Sequence, residues 1–444
     1  MPRACALFLS TMANATLEKY LEHPRCESCG IGRVRPIHLV RGEHVRFACS
    51  NRLCHFATYA QLPPIRKKII YLDTSIVSHM ARAKAKGDEA SPYYELYVAL
   101  KTAVARNLIV CPGSTIVETE AEMSTLSDII IEMGRELGDV SLQHELWVKR
   151  CQLSRALDRF LADQPVMLET NLSEREALQD NPHVWNGTIY VVAHIPTPDE
   201  YVDVAKRAKD RNLPEIEARY RQYAESGMTF PQIVAVEKQL FGWQLIEEGQ
   251  LMLAGKKWFM DGVITDPNVL LPSTFDGFMA VIQHRLNCSI EDAARTTIDF
   301  LASQHVADTP FAYIRAHLQS ELAMRYRSTA RVNGRTPKPG DQYDLEHMAA
   351  FMPYVDVFFA DNFIATIANQ NHLRLGQKFN TTVRALAPAE IPEFIAWLDA
   401  LAAESDVAAL SDRLDAAILD GGFHEDFAAH VRATVPEAFR DEAE

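Results

Sequence analysis

The sequence predicts an α/β fold with a parallel central sheet, broken by a long helical insertion and preceded by a small cysteine-built ribbon. Three observations carry this. Short apolar runs alternate with amphipathic helical stretches, the order that produces a parallel sheet with helices on its faces. Two of those runs, IIYL at 69–72 and VDVFFA at 355–360, are each followed by an aspartate. Four cysteines gather between positions 26 and 54 as two short-loop pairs.

Composition narrows the classes. The 444 residues leave room for two or three domains of about 150 residues each. Hydrophobic residues at 48% and charged residues at 23% exclude a globally disordered chain. With 45 basic and 59 acidic side chains the net charge is −14, so contact with nucleic acid would have to come from local basic patches. No run approaches the ~18 apolar residues of a membrane span. The opening MPRACALFLSTMANA has an apolar stretch shorter than the ~7–15 residues of a signal-peptide core, and a cytoplasmic protein is expected.

After an N-terminal segment at 1–22, residues 23–62 read Cys26-x2-Cys29, nineteen residues, then Cys49-x4-Cys54. Two such knuckles supply the four thiolates of a tetrahedral zinc site, and the alternating, glycine-punctuated segment between them reads as short strands. Two disulfides are the alternative reading. Four thiolates leave no open coordination position, so such a zinc would be structural. The segment resembles the zinc ribbons at the end of bacterial type I topoisomerases and some helicases. Arg25, Arg33, Arg35, Arg41, Arg46 and Arg52 give it positive charge, suited to nucleic acid. Cys5, Cys111, Cys151 and Cys288 have no partner spacing and read as packing residues.

The linker QLPP at 61–64 leads into the α/β part. A strand at 69–72 and a helix at 93–106 come first. A strand at 107–111, stopped by Pro112-Gly113, and a helix after Ser114 complete the first half, 66–125. From 126 to 335 amphipathic stretches dominate (126–138, 141–163, 198–227, 231–253, 289–305, 311–327), with one apolar run at 187–195. A block of this size is expected to form a helical domain. A Gly/Pro-rich loop at 331–340 precedes the second half, 336–387: a helix at 343–351 ended by Pro353, a strand at 355–360 and a fourth strand at 382–385. The tail, 388–444, reads as acidic and helical.

In an open parallel sheet, ligands sit beyond the carboxyl ends of the strands. Asp73 and Asp361 follow two such ends. Glu118 and Glu120 fall on the first turns after Ser114, and Asp344 near the start of the next-to-last helix, so four acids from distant parts of the chain point to one rim. Two carboxylates 4 Å apart repel by ~4 kcal/mol at an effective dielectric near 20. A divalent magnesium or manganese ion relieves that repulsion, and the chemistry such a site suits is phosphodiester hydrolysis by activated water.

The segments IIYLDTS, CPGSTIVETE and DLEHMAAFMPYVDVFFADN resemble the three acidic motifs of PIN-domain nucleases, which include the ribonuclease toxins of toxin–antitoxin pairs. The resemblance implies a three-layer α/β/α PIN-like domain. It implies a hydrolase in which Asp73, Glu120, Asp344 and Asp361 bind one or two magnesium or manganese ions, with Glu118 as the fallback for Glu120. Thr74, Ser75 and Ser114 would support the site. RNA stands ahead of DNA as substrate, in a toxin, defence or processing role. The resemblance also admits a homodimer, and the insertion, which small PIN toxins lack, would restrict access or bind a protein partner. Asp341 reads as a loop or cap residue, Asp356 as the start of a strand, and His347 as a packed or exposed helix residue.

Arg325, Arg327, Arg331, Arg335 and Lys338 precede Asp344 in an acid-free stretch that would suit a phosphate backbone. Arg66, Lys67 and Lys68 precede the first strand. Two other functions fit the same residues: a nucleic-acid-binding module with a degenerate acidic site, and a metal-dependent phosphatase acting on small esters. Asp73-Thr-Ser lacks the second aspartate of a haloacid-dehalogenase-type phosphatase.

Overall fold

The computed structural model describes residues 17–22, 24–40, 42–51, 53–114, 126–138, 140–186, 214–263, 270–332 and 339–419. At the N-terminal end, β1 (Val34–Val40), β2 (His44–Cys49) and β3 (Ala57–Gln61) form an antiparallel sheet in the order β1-β2-β3. Leu17, Tyr20, Val45 and Phe47 form its small core. That core is closed from outside by Trp185, whose indole donates to the Pro63 carbonyl at 2.8 Å, and by Leu410 and Leu414 of the C-terminal part.

The second sheet is built from β4 (Lys68–Tyr71), β5 (Ile109–Val110), β6 (Val357–Phe359) and β7 (Thr382–Arg384), in the order β5-β4-β6-β7 with every pairing parallel. Between β4 and β5 run α1 (Thr74–Lys86) and α2 (Pro92–Ala105). α1 starts because Asp73 caps it, and it stops at Gly87, whose φ of +61° is left-handed and whose N–H closes on the Ala83 and Lys84 carbonyls.

Side chains alternate across the strands as the pleat requires. Ile70, Leu72, Ile109, Val357 and Phe359 face a core shared with α1, α2, α3 (Ser127–Leu137) and α11 (Ile391–Ala403). Ile69, Tyr71, Val110, Phe358 and Val383 face the other way. The second face is covered by α4 (Glu145–Leu161), α5 (Phe230–Met260), α6 (Thr274–Leu286), α7 (Ile290–Leu301), α8 (Pro310–Val332), α9 (Pro339–Phe351) and α10 (Asn362–Ala368). Tyr71 stacks on Phe358 with ring centroids 4.3 Å apart. The molecule is thus a mixed α/β protein whose four-stranded parallel sheet has helices on both faces.

The helices of the insertion pack against the sheet in one apolar cluster, while α3, the first of them, lies on the opposite face. An amphipathic helix declares that it has an apolar side but not what covers it. α5 and α7 approach closely because Gly242 has no side chain: a Cβ there would stand 1.9 Å from the Leu301 carbonyl oxygen.

Two boundaries differ from those expected. α8 runs on to Val332, and α9 begins at Pro339 rather than 343, with Pro339 at the first helical turn, where its missing N–H costs nothing. The tail does structural work. α11 packs Phe394 edge-on against Phe359, and α12 (Asp406–Leu419) lies against the N-terminal sheet. The apolar run at 187–195 and the start of the 198–227 stretch lie outside the described residues, and the chain is helical over 214–226. Among the described residues no helix is long and apolar enough to cross a membrane.

Candidate metal centre

β4 and β6 are neighbours with Ile70 opposite Val357 and Tyr71 opposite Phe358, so the chain leaves both strands at the same rim. An aspartate follows each because a helix begins there, and a carboxylate is favoured at a helix N-cap. Asp73 caps α1, accepting from the Ser75 N–H at 3.3 Å and the Ser75 hydroxyl at 2.5 Å. Asp361 caps α10, accepting from the Ile364 N–H at 2.7 Å.

α9 brings two further acids. Asp341 and Asp344 are three residues apart on its first turns and so share a face. One carboxylate oxygen from each of Asp341, Asp344 and Asp361 lies within 4.8 Å of the other two. Asp341 is 3% exposed, and its two companions are half-buried. Three carboxylates at this separation could hold a hard divalent cation, which takes oxygen ligands of this kind.

Of the four acids expected to meet, Asp344 and Asp361 do. Asp73 sits at the same rim but stands outside the group of three, its carboxylate turned to Ser75. Glu118 and Glu120 lie outside the described residues. Asp341 is the acid that sequence reasoning missed. Its surroundings read as loop or cap, yet it is helical because the helix starts at Pro339, one turn earlier than the sequence predicts. The signal was present as a proline followed by two acids at helical spacing. Ser114 is buried beyond the end of β5, and Thr74 opens α1 half-buried. His347 is half-buried on α9. Asp356 ties the other ends of the strands, accepting from the Ile69 N–H at 2.9 Å and from Lys68 at 2.6 Å.

The basic residues divide. Arg325 pairs with Glu321 at 3.2 Å, and its guanidinium lies 5.9 Å from the ring of Phe363, two residues along the chain from Asp361. Arg327 instead donates to the Tyr223 carbonyl at 2.7 Å, holding α8 to the 214–226 helix. The Arg331 side chain, Arg335 and Lys338 lie outside the described residues. Lys67 is buried, donating to Asn186 at 2.5 Å.

Behind α9 is a buried ionic cluster. Arg315 of α8 donates to Glu346 of α9 at 2.8 Å and stands 3.9 Å from Glu237 of α5, which is fully buried. Lys149 of α4 reaches Glu346 at 3.2 Å, and Tyr223 donates to Glu237 at 2.6 Å. Burial alone would raise the Glu346 carboxyl, but Arg315 and Lys149 outweigh it and hold it at about 2. The helix that carries Asp341 and Asp344 is thereby pinned to three helices of the insertion.

The second cluster is Cys26, Cys29, Cys49 and Cys54, whose sulfurs all lie within 4.8 Å of one another. The Cys26–Cys54 and Cys29–Cys49 distances are both 3.7 Å, and all four thiols are free. A disulfide needs ~2.05 Å, whereas sulfurs ~2.3 Å from a central zinc are ~3.8 Å apart by tetrahedral geometry. The Gly32 N–H points at Cys29 at 3.3 Å and the Asn51 N–H at Cys49 at 3.4 Å. Backbone N–H groups of Gly32 and Ile31 lower the Cys29 thiol to about 6, while burial and the neighbouring sulfurs push the Cys49 thiol up to about 12, so the four sulfurs share their protons unequally without an ion.

Comparison of the chain with family models, with curated proteins and with solved structures gives no match. The functional reading therefore stands on these two clusters.

Proposed function

We propose that the protein is a divalent-metal-dependent nuclease with a PIN-like catalytic domain and a structural zinc in an N-terminal ribbon. The observation that carries the reading is the meeting of Asp341, Asp344 and Asp361, from two separate elements, within 4.8 Å at the carboxyl rim of a parallel sheet. Magnesium or manganese bound there supplies activated water and charge neutralisation for attack on a phosphodiester. Asp341, buried, is the fixed point of the set. Asp361 is held in place by the Ile364 N–H. Asp73, at the same rim, accepts protons from water approaching the phosphorus. Arg325, beside Phe363, offers its guanidinium to a phosphate and the ring to a base. Zinc on the four cysteines would hold the ribbon together, and the ribbon's positive charge would meet the nucleic-acid backbone.

The test is cleavage of end-labelled RNA and DNA by the full-length protein with manganese against excess chelator, beside a nitrophenyl phosphate. Metal-dependent shortening of an oligonucleotide is expected, with a loss of roughly 100-fold or more in Asp344→Asn and Asp361→Asn. Manganese titration followed by electron paramagnetic resonance should show the same variants losing the ion. Binding of nucleic acid without any product would replace this reading by the binding module, and turnover of the small ester alone by the phosphatase.

A further inference from the structure

α5 is a 31-residue helix with two unlike sides. One side is built for close packing: a Cβ at Gly242 would meet the Leu301 carbonyl at 1.9 Å, and one at Gly249 would meet the Phe275 side chain at 2.5 Å. The opposite side carries Trp243, Glu247, Leu251, Ala254 and Trp258. At ~100° per residue these five fall within a sector of ~80°. Trp243 and Trp258 are each 52% exposed and Leu251 is 65% exposed. Beyond them Met260 and Val263, at and just past the end of α5, and Leu270 and Leu271, ahead of α6, are all exposed as well. The two tryptophans alone leave roughly 200 Å² of ring uncovered, and the other side chains carry the patch beyond what a monomer ordinarily shows.

We infer that this stripe is the interface between two copies of the chain, paired antiparallel about a two-fold axis near Met252. The charges select both the occupant and the direction. Glu247 and Lys257 are exposed, and among the described residues neither makes an ion pair, whereas the adjacent Lys256 is engaged by Asp276 at 2.7 Å. Glu247 and Lys257 are five residues either side of Met252. An antiparallel pair centred there sets each Glu247 opposite Lys257 of the second copy, twice by symmetry. A parallel pair would set Glu247 on Glu247 and is repelled. The spacing 247, 251, 254, 258 is the 4-3-4 seam of two helices lying side by side. The same centring brings the Met260–Val263 end of each helix onto the Trp243 end of the other, so both tryptophans are covered. The stripe spans about 22 Å.

Sedimentation velocity of the full-length protein tests this, with circular dichroism as the control for folding. The wild type is expected to be a dimer at about 10 μM, and Trp258→Glu a folded monomer. Glu247→Lys alone and Lys257→Glu alone each put like charges together and weaken association roughly tenfold or more. The double variant restores the pairing and returns to within a few-fold of wild type. A wild type that stays monomeric, a dimer that survives Trp258→Glu, or a double variant no tighter than the single ones overturns the inference.

Discussion

Arg315 is the strongest point at which to perturb the support of the acidic site. Arg315→Met keeps the length of the side chain and removes the charge, leaving Glu346 and Glu237 facing each other's surroundings without their common partner. Breaking a buried pair by removing one member costs about 3–5 kcal/mol. A second route gives a similar figure. Glu346 stands at about 2 in the folded protein against its ordinary 4.5, which is worth about 3 kcal/mol of stability at neutral pH. The sign follows from the lowered carboxyl: the contribution is complete above pH 4.5 and is lost as pH falls towards 2. Arg315 and Lys149 share the work, so Arg315→Met should cost about 3 kcal/mol at pH 7 in urea unfolding followed by fluorescence. It should cost clearly less near pH 3. Adding Glu346→Gln and Glu237→Gln to Arg315→Met should return most of the loss, because the stranded charges are then gone. A cost below about 1 kcal/mol, or a triple variant no more stable than the single one, would refute the claim that this cluster anchors α9.

Other outcomes follow from the same structure. His317 is held down to about 4 by burial, with Lys238 and Lys378 adding to it. The unfolded chain takes up that proton first, so stability should fall between pH 6.5 and pH 4, and His317→Gln should flatten that part of the profile. Gly242→Ala forces the α5–α7 contact apart and should cost about 1–3 kcal/mol in the same unfolding assay. Elemental analysis of the purified protein should find one zinc per chain. Cys29→Ser should lose it and expose Trp185 and the α12 face, read as a red-shifted tryptophan emission.

How much of this was legible in the sequence depended on how local the cause was. Asp73 and Asp361 could be placed because strand and cap are both local: an apolar run followed by an aspartate is all that is needed. The cysteine cluster was legible for the same reason, since each knuckle is fixed by its own short loop. Asp341 was missed because a Gly/Pro-rich stretch reads as loop, and one proline at the first turn of a helix looks like any other proline. The buried cluster was not legible at all. Glu237 and Arg315 sit on amphipathic helices 78 residues apart in the chain, and a charged residue on such a helix is ordinarily at the surface. Only the packing of α5, α8 and α9 against each other reveals that these two are inside.

The middle of the parallel sheet joins residue 70 to residue 357. Nearly the whole polypeptide must therefore be made before the central pair of strands can zip. Such a distant closure is slow compared with the helices that form on the way. Asp341, Asp344 and Asp361 all belong to this late-arriving portion, and they gain their common rim only when β6 docks beside β4. A chain released early from synthesis has no complete sheet for the three acids to border, and its ribbon lacks the cover of Leu410 and Leu414, so both clusters reach their final setting only when the protein is essentially finished.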